Sequence, residues 1–334
     1  MASMCNLSTA RLNQSDFVET FQYVVHIPAF ILGLIINSVA LWILCIRLKK
    51  WMEATIYMTN LIVCDMFLLF SLPFKIHADK EGGKWYLGSI FCKFVESLYF
   101  VNTYGTILLI MLISLDRYVA IKHPFLARTL RSPKKAIIAC IVMWVCIWSA
   151  SIPHYIHSDG IADYCFTHFG QFWKTGRIPQ AMETIFLISA TTVMFCSVQI
   201  VRTLQRVDEE RDDMNMRTSM NIVYSNLATF LLCFTPYHVA MLLYLLAKQC
   251  FITKDYLAPL RIFLQISQCW ATMNCCLDGL YYYSIIKEFW KTKIKRTDSL
   301  NLQNSPGDHV HGSKYNRLCR PVCSNEMEDC GYCQ

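Results

Sequence analysis

The sequence predicts an all-α fold, a seven-transmembrane helix bundle followed by a short amphipathic eighth helix. Three observations carry this reading. Seven long apolar stretches fill the chain up to about residue 286, short polar segments separate them, and 54% of the 334 residues are hydrophobic against 16% charged. Each stretch can cross a hydrocarbon layer roughly 30 Å thick at about 1.5 Å of helical rise per residue. With a mean hydropathy of +0.33 the chain falls outside ordinary soluble composition.

The spans are read at residues 22–46, 54–77, 90–118, 134–153, 179–203, 219–247 and 258–284. Residues 1–20 are polar and lack the basic, then apolar, then small-residue order of a cleaved leader, so they read as an extracellular tail and the first span directs insertion. Residues 21–285 make up the bundle, 286–297 the amphipathic juxtamembrane helix, and 298–334 a polar, disordered cytoplasmic tail.

Basic residues set the orientation, because they are retained on the cytoplasmic side. Arg47, Lys49 and Lys50 follow the first span, Lys122, Arg128, Arg131, Lys134 and Lys135 the third, and Lys287, Lys291, Lys293, Lys295 and Arg296 the seventh. The segment between spans five and six is mixed in charge and argues weakly for the same side. The chain is therefore expected to be multi-pass in the plasma membrane with its N-terminus outside, where Asn6 and Asn13 head Asn-x-Ser glycosylation acceptors. The net charge of +7 matches an anionic inner leaflet and the proteins docking there, and needs no nucleic acid.

Of seventeen cysteines, most fall in the spans as small apolar side chains. Cys5, Cys92, Cys165 and Cys250 remain near the oxidising outer face. Cys92 with Cys165 would pin the loop before span five across the mouth of the bundle, and Cys5 with Cys250 would tie the tail to the loop between spans six and seven. For Cys319, Cys323, Cys330 and Cys333 three readings stand: zinc ligation, lipidation, or a plain flexible tail.

Ionisable residues inside a span cost free energy and ask for a reason. They are Asp65, Lys75, Glu96, Asp116, Arg117, Glu183 and Asp278. Asp65 and Asp278, with Asn37, Asn102, Thr106 and Asn274, would build a polar core. It either holds a sodium ion or a water cluster, or it is a hydrogen-bonded packing network with no switching role. At the inner end of span three, Asp116-Arg117-Tyr118 is read either as an adjacent acid and base that neutralise one another in one state, or as a snorkelling pair. Pro73, Pro153 and Pro236 each free a backbone carbonyl and bend a span.

In their order across the chain, these residues resemble the rhodopsin-like G-protein-coupled receptors. The likeness covers residues 20 to about 296 and rests on Asn37, Asn60-Leu61-x-x-x-Asp65, Trp85 with Cys92, Asp116-Arg117-Tyr118 with Ile121-x-x-Pro124, Trp144, Cys165, Phe234-x-Pro236 and Asp278-x-x-x-Tyr282. Four positions depart from the family pattern: Phe234 for a tryptophan, Asp278-Gly279 for Asn-Pro, Ala190 for a proline, and Val198 near where a tyrosine is usual. Ser71-Leu72-Pro73-Phe74-Lys75, Phe91-Cys92-Lys93-x-x-Glu96-x-x-Tyr99, Leu130 to Lys135 and Asn274 to Asp278 resemble the subgroup of the lysophosphatidylinositol and kynurenic-acid-responsive receptors, beside the purinergic and lysophosphatidic acid receptors.

The resemblance implies a receptor for an anionic, lipid-like ligand, with small aromatic carboxylates or nucleotides as the alternative. Tyr99 stands where amine receptors carry an aspartate, which removes an ammonium counter-ion. Lys75 and Arg261 would offer cations at the mouth, unless they snorkel, and Glu96 would orient Lys75. Tyr99, Phe100, Tyr104, Tyr237 and His238 would line the cavity, and the Met and Phe of spans five and six suit an acyl chain. Signal transfer would run through Phe230, Phe234, Pro236 and Tyr282 to a heterotrimeric G protein docked on Arg117, the 121–131 segment and the 286–296 helix bearing Phe289 and Trp290, with arrestin and a receptor kinase as further partners. No hydrolase motif or internal repeat supports an enzyme or a transporter, while the departures in spans five to seven leave a non-signalling decoy receptor as the competing reading.

Overall fold

The computed structural model of the chain describes residues 2–48, 51–157, 164–166, 177–208, 214–249, 251, 253–279 and 282–283. Helices α1 (Ala2–Trp42), α2 (Glu53–Lys80), α3 (Ser89–Lys122), α4 (Pro124–Leu130), α5 (Pro133–His157), α6 (Arg177–Asp208), α7 (Met214–Thr229), α8 (Thr235–Lys248) and α9 (Leu257–Ala271) follow in that order. Backbone groups in lipid must be satisfied within their own segment, and helices do this even where the side chains are β-branched. Among the described residues, six helical stretches are long and apolar enough to cross a membrane: Phe17–Ile46, Glu53–Lys80, Ser89–Lys122, Pro133–Ile152, Pro179–Gln205 and Val223–Lys248.

The seventh crossing differs from its reading as one span. α9 stops at Ala271, Thr272 and Met273 form a turn, and helix resumes over residues 274–279. The first helix also begins earlier than expected, at Ala2. Asn6, Asn13 and Cys5 fall on this stretch, but their side chains lie outside the described residues, as do Cys250, the 286–297 helix, the 298–334 tail and its four cysteines. Residues 124–130, read as part of a cytoplasmic loop, form the short helix α4, started by Pro124 in its first turn.

Helix α3 is the central pillar, in contact with α2, α5 and α6. Its most apolar window is 72% buried, against 28% for the windows of α1 and α5, which face outward. Gly105 on α3 permits the close approach to α2, since a Cβ there would stand 2.6 Å from Cys64 Sγ. Small residues serve this purpose in membrane bundles, where packing replaces the hydrophobic drive.

The sixth crossing shows what its proline does. A π-helical turn, Phe230–Phe234, separates α7 from α8, and Pro236 sits in the first turn of α8. Pro236 has no N–H, so the carbonyl four residues back, that of Leu232, loses its helical donor. Trp270 Nε1 donates to that oxygen at 3.0 Å and resatisfies it from the neighbouring helix. Pro73 and Pro153, by contrast, lie inside the unbroken helices α2 and α5.

Candidate functional site

At one end of α3, Cys92 is disulfide-bonded to Cys165, as expected from their placement. The loop is fixed further by Cys165 N–H donating to the Gly83 carbonyl at 2.8 Å. Phe166 takes φ 61°, an uncommon conformation for a residue with a Cβ. Glu96 holds it there, with Oε1 accepting the Phe166 N–H at 2.8 Å. The expectation that Glu96 orients Lys75 is therefore corrected. Lys75 Nζ pairs with Asp79 Oδ1, one helical turn along α2, where the shorter path wins. The Phe166 ring covers Lys75 at 5.2 Å and packs edge-on against Trp85. The Cys92, Glu96 and Cys165 ligand atoms lie within 4.8 Å of one another. Both sulfurs are committed to the disulfide, so the cluster offers no metal site.

The predicted cavity residues divide into two groups. Tyr104 and Tyr237 share a buried cluster with Phe186, Phe230 and Phe234 between α3, α6 and α8, and the His238 ring packs into it against Tyr104, Phe186 and Tyr237. Tyr99 instead packs with Leu72, Ala29 and Cys275 toward α1, α2 and the seventh crossing, and its hydroxyl donates to the Gln268 carbonyl at 3.3 Å. Arg261 is exposed in the first half of α9.

Within the first group Phe186 stacks on His238 with centroids 3.8 Å apart, and on Phe230 at 5.4 Å. Phe230 meets Phe234 edge-on at 6.1 Å. His238 Nδ1 bonds Glu183 Oε1 at 3.2 Å, which fixes the ring and turns Nε2 the other way. Nε2 and the Tyr104 hydroxyl are buried with no partner among the described residues. Glu183 and Phe186 were missing from the expected site. Glu183 did carry a signal, being a carboxylate within a span, but nothing in the sequence pairs it with a residue 55 positions away.

Halfway down the bundle the expected polar core is assembled. Asp65 Oδ2 accepts the Tyr282 hydroxyl at 3.0 Å and Oδ1 faces Asn102 Nδ2 at 3.5 Å. Asn274 Nδ2 reaches Thr106 Oγ1 at 3.4 Å, and Asn37 Nδ2 donates to the carbonyls of Gly33 and Cys275. Asp278 is 3% exposed, and its Oδ2 joins Asn37 Oδ1 and Asn274 Oδ1 as buried oxygens without a described partner.

At the far end of α3, about 36 Å from Cys92 by helical rise, Asp116 is held from outside its own triplet. Arg131 Nε donates to Oδ1 at 2.8 Å and Nη2 to Oδ2 at 3.1 Å, the two-pronged geometry that guanidinium and carboxylate favour. Glu53 Oε2 stands 3.6 Å from Nη2. Partial burial works against the Arg131 charge, but the bonds to Asp116 and the charges of Asp116 and Glu53 outweigh it and hold its pKa above the ordinary arginine value. The expectation that Asp116 and Arg117 neutralise one another is thus corrected for this state. Adjacent helical residues diverge by about 100°, whereas Arg131, just past α4, comes directly onto the carboxylate. Tyr118 packs instead against His123 at 5.4 Å and Phe195 at 5.7 Å.

A polar core, a disulfide across the mouth and an Asp-Arg-Tyr triplet at the other end of a central helix match one family. The description "7 transmembrane receptor (rhodopsin family)" fits residues 36–282. The chain belongs to this family. The receptor is 34% identical over 283 residues to the G-protein coupled receptor 55 of Homo sapiens, covering 82% of this chain and 88% of that one. It is 34% identical over 311 residues to the lysophosphatidic acid receptor 6 of Mus musculus, with 86% and 90% coverage. It is also 32% identical over 287 residues to the G-protein coupled receptor 35 of Mus musculus, with 84% and 90% coverage. The chain is a class A G-protein-coupled receptor and a multi-pass membrane protein, and its relatives are receptors rather than enzymes.

Proposed function

We propose that this receptor sits in the plasma membrane with its N-terminus outside, takes an anionic lipid-like ligand through the disulfide-bonded mouth, and activates a heterotrimeric G protein. The observation that carries the reading is the unbroken run of rings from His238 through Phe186 and Phe230 to Phe234, which joins the cavity wall to the π turn above Pro236. A ligand pressing on Tyr104 or His238 changes the packing of a helix already broken at one point, and closely packed cores respond in discrete steps rather than by graded deformation. The ligand then acts by binding the two arrangements unequally. The lysophosphatidic acid receptors among the relatives support the lipid class.

At the inner end, Arg131 occupies Asp116, so that carboxylate does not hold Arg117 away from the GTPase partner. Arrestin and a receptor kinase would meet the same face. In the polar core, the buried oxygens of Asn37, Asn274 and Asp278, beside Asp65, are acceptors only, the donor set that a hard cation takes. They fit a sodium ion, which would supply positive charge between two carboxylates and favour the arrangement that keeps them together.

The test is nucleotide exchange on purified heterotrimer, with the receptor challenged by lysophospholipids, nucleotides and small aromatic carboxylates. Exchange driven by a lysophospholipid supports the reading. Exchange driven only by aromatic carboxylates or nucleotides replaces the ligand class, and binding without exchange makes the protein a decoy.

A further inference from the structure

Between α1, α2 and α9 lies a group of polar side chains of which the expected site included only Lys75 and Tyr99. His26 on α1 is fully buried, and neither Nδ1 nor Nε2 has a hydrogen-bond partner among the described residues. His26 lies one turn from Ala29 and Lys75 one turn from Leu72, and Ala29 and Leu72 pack in one buried cluster, which brings the imidazole and the ammonium to the same seam between α1 and α2. Asp79, the Lys75 partner, uses Oδ1 for that pair and leaves Oδ2 buried and unpartnered. Tyr99 from α3 and Cys269 from α9 are within electrostatic reach of the same carboxylate. Glu19 and Tyr23 of α1, joined by a 3.1 Å hydrogen bond, are also within electrostatic reach of it.

A buried imidazole with both nitrogens unmet is costly, and such groups in native proteins have a partner in protein, water or ligand. The unmet groups have a definite chemistry. A neutral imidazole offers one N–H, and an ammonium offers three, of which the pair with Asp79 uses one. An oxyanion accepts from both. Asp79 works against it, since its charge lies against the same ammonium.

We propose that the anionic group of the ligand binds between α1, α2 and α9, bridging Lys75 and His26, and that Asp79 is a built-in competitor setting the affinity. This rests on the anionic-ligand reading above and adds to it two residues, His26 as second donor and Asp79 as the group the ligand displaces. Discrimination follows: a neutral lipid cannot displace a carboxylate from Lys75, so only an acid of sufficient charge opens the site.

The experiment measures binding of 1-oleoyl lysophosphatidic acid and of neutral 1-oleoyl glycerol to full-length receptor in nanodiscs, for the parent chain and for Asp79→Asn, His26→Ala, His26→Gln and Lys75→Ala. Thermal unfolding without ligand identifies any variant that fails to fold, and His26→Gln keeps an N–H donor in place should His26→Ala do so. Asp79→Asn keeps a hydrogen-bond acceptor for Lys75 while removing the charge, and should tighten the phosphate lipid about tenfold, the scale of one hydrogen bond to a charged group. His26→Ala should weaken it by a similar factor, His26→Gln by less, and the neutral lipid should not respond to either. If Lys75→Ala weakens binding while Asp79→Asn and both His26 variants leave it unchanged, the headgroup reading stands and this site falls. If the parent does not bind the phosphate lipid, or Lys75→Ala has no effect, both fall.

Discussion

Replacing Arg131 by methionine removes the guanidinium while keeping most of the stem, and the structure sets the size of the effect. Two bonds of 2.8 and 3.1 Å to Asp116 are lost, together with the 3.6 Å approach to Glu53. Breaking a fully buried pair costs about 3–5 kcal/mol, because the remaining charge is stranded. Here the Asp116 side chain is 7% exposed, but Arg131 is 27% and Glu53 18%, so water screens part of the loss. The expected cost is then about 1–3 kcal/mol, or about 2–10 °C in unfolding midpoint on the scale of soluble chains somewhat smaller than this one. The functional effect is more specific. Without Arg131, the Asp116 charge stands uncompensated at the inner face beside that of Glu53, and it weakens the positive field that Arg117 presents to the G protein. Agonist-driven nucleotide exchange on purified heterotrimer should fall in Arg131→Met and recover when Asp116→Asn is added, although the double variant lacks the pair as well. Loss of exchange in both variants alike, or in neither, would refute the reasoning, since a purely structural role for Arg131 cannot be restored by removing its partner.

Three further outcomes follow from other contacts. Gly105→Ala places a Cβ 2.6 Å from Cys64 Sγ and should cost about 1–3 kcal/mol of thermal stability, with Gly105→Ala/Cys64→Ala losing less than the sum of the two single changes; additive losses would show that this contact does not limit the approach of α2 and α3. Glu96→Ala removes the acceptor for the Phe166 amide, and hydrogen exchange at that amide should accelerate while the disulfide stays intact; an unchanged rate would mean the loop holds its left-handed residue without help. Asp278→Asn should abolish any weakening of agonist binding by sodium without abolishing agonist binding itself, and an undiminished sodium effect in the variant would remove the cation from the polar core.

The bundle was legible because its signals are long and redundant. Apolar runs of twenty or more residues name the spans, and α2, α3 and α5 match their readings to within about four residues at either end. The polar core was legible for a related reason: Asp65, Asn102, Thr106, Asn274 and Asp278 are expensive in a membrane and reveal themselves by composition alone. Pairings were another matter. Lys75 and Asp79 form an i, i+4 pair, but Asp79 lies past the apolar run of residues 54–77, while Glu96 stands out as a carboxylate within a span. Arg131 with Asp116 and Glu183 with His238 cross between elements, and charge counts give no angle or depth with which to pair them. The break after Ala271 was invisible because Thr272 and Met273 are neither glycine nor proline; the turn is held by local bonds, from the Thr272 N–H and hydroxyl to the Cys269 carbonyl and from the Met273 N–H to that of Trp270.

Occupancy of the cavity must alter the inner face if the ring contacts beneath His238 carry a signal. Spin labels at Lys122 on α3 and Tyr224 on α7, both exposed, report on this in a background lacking Cys45 and Cys146, exposed among the described residues, and also Cys5, Cys250, Cys319, Cys323, Cys330 and Cys333. With agonist and nucleotide-free G protein bound, the distance distribution between the labels should move to larger values and return when both are removed. A distribution that stays fixed while both are demonstrably bound would contradict the account.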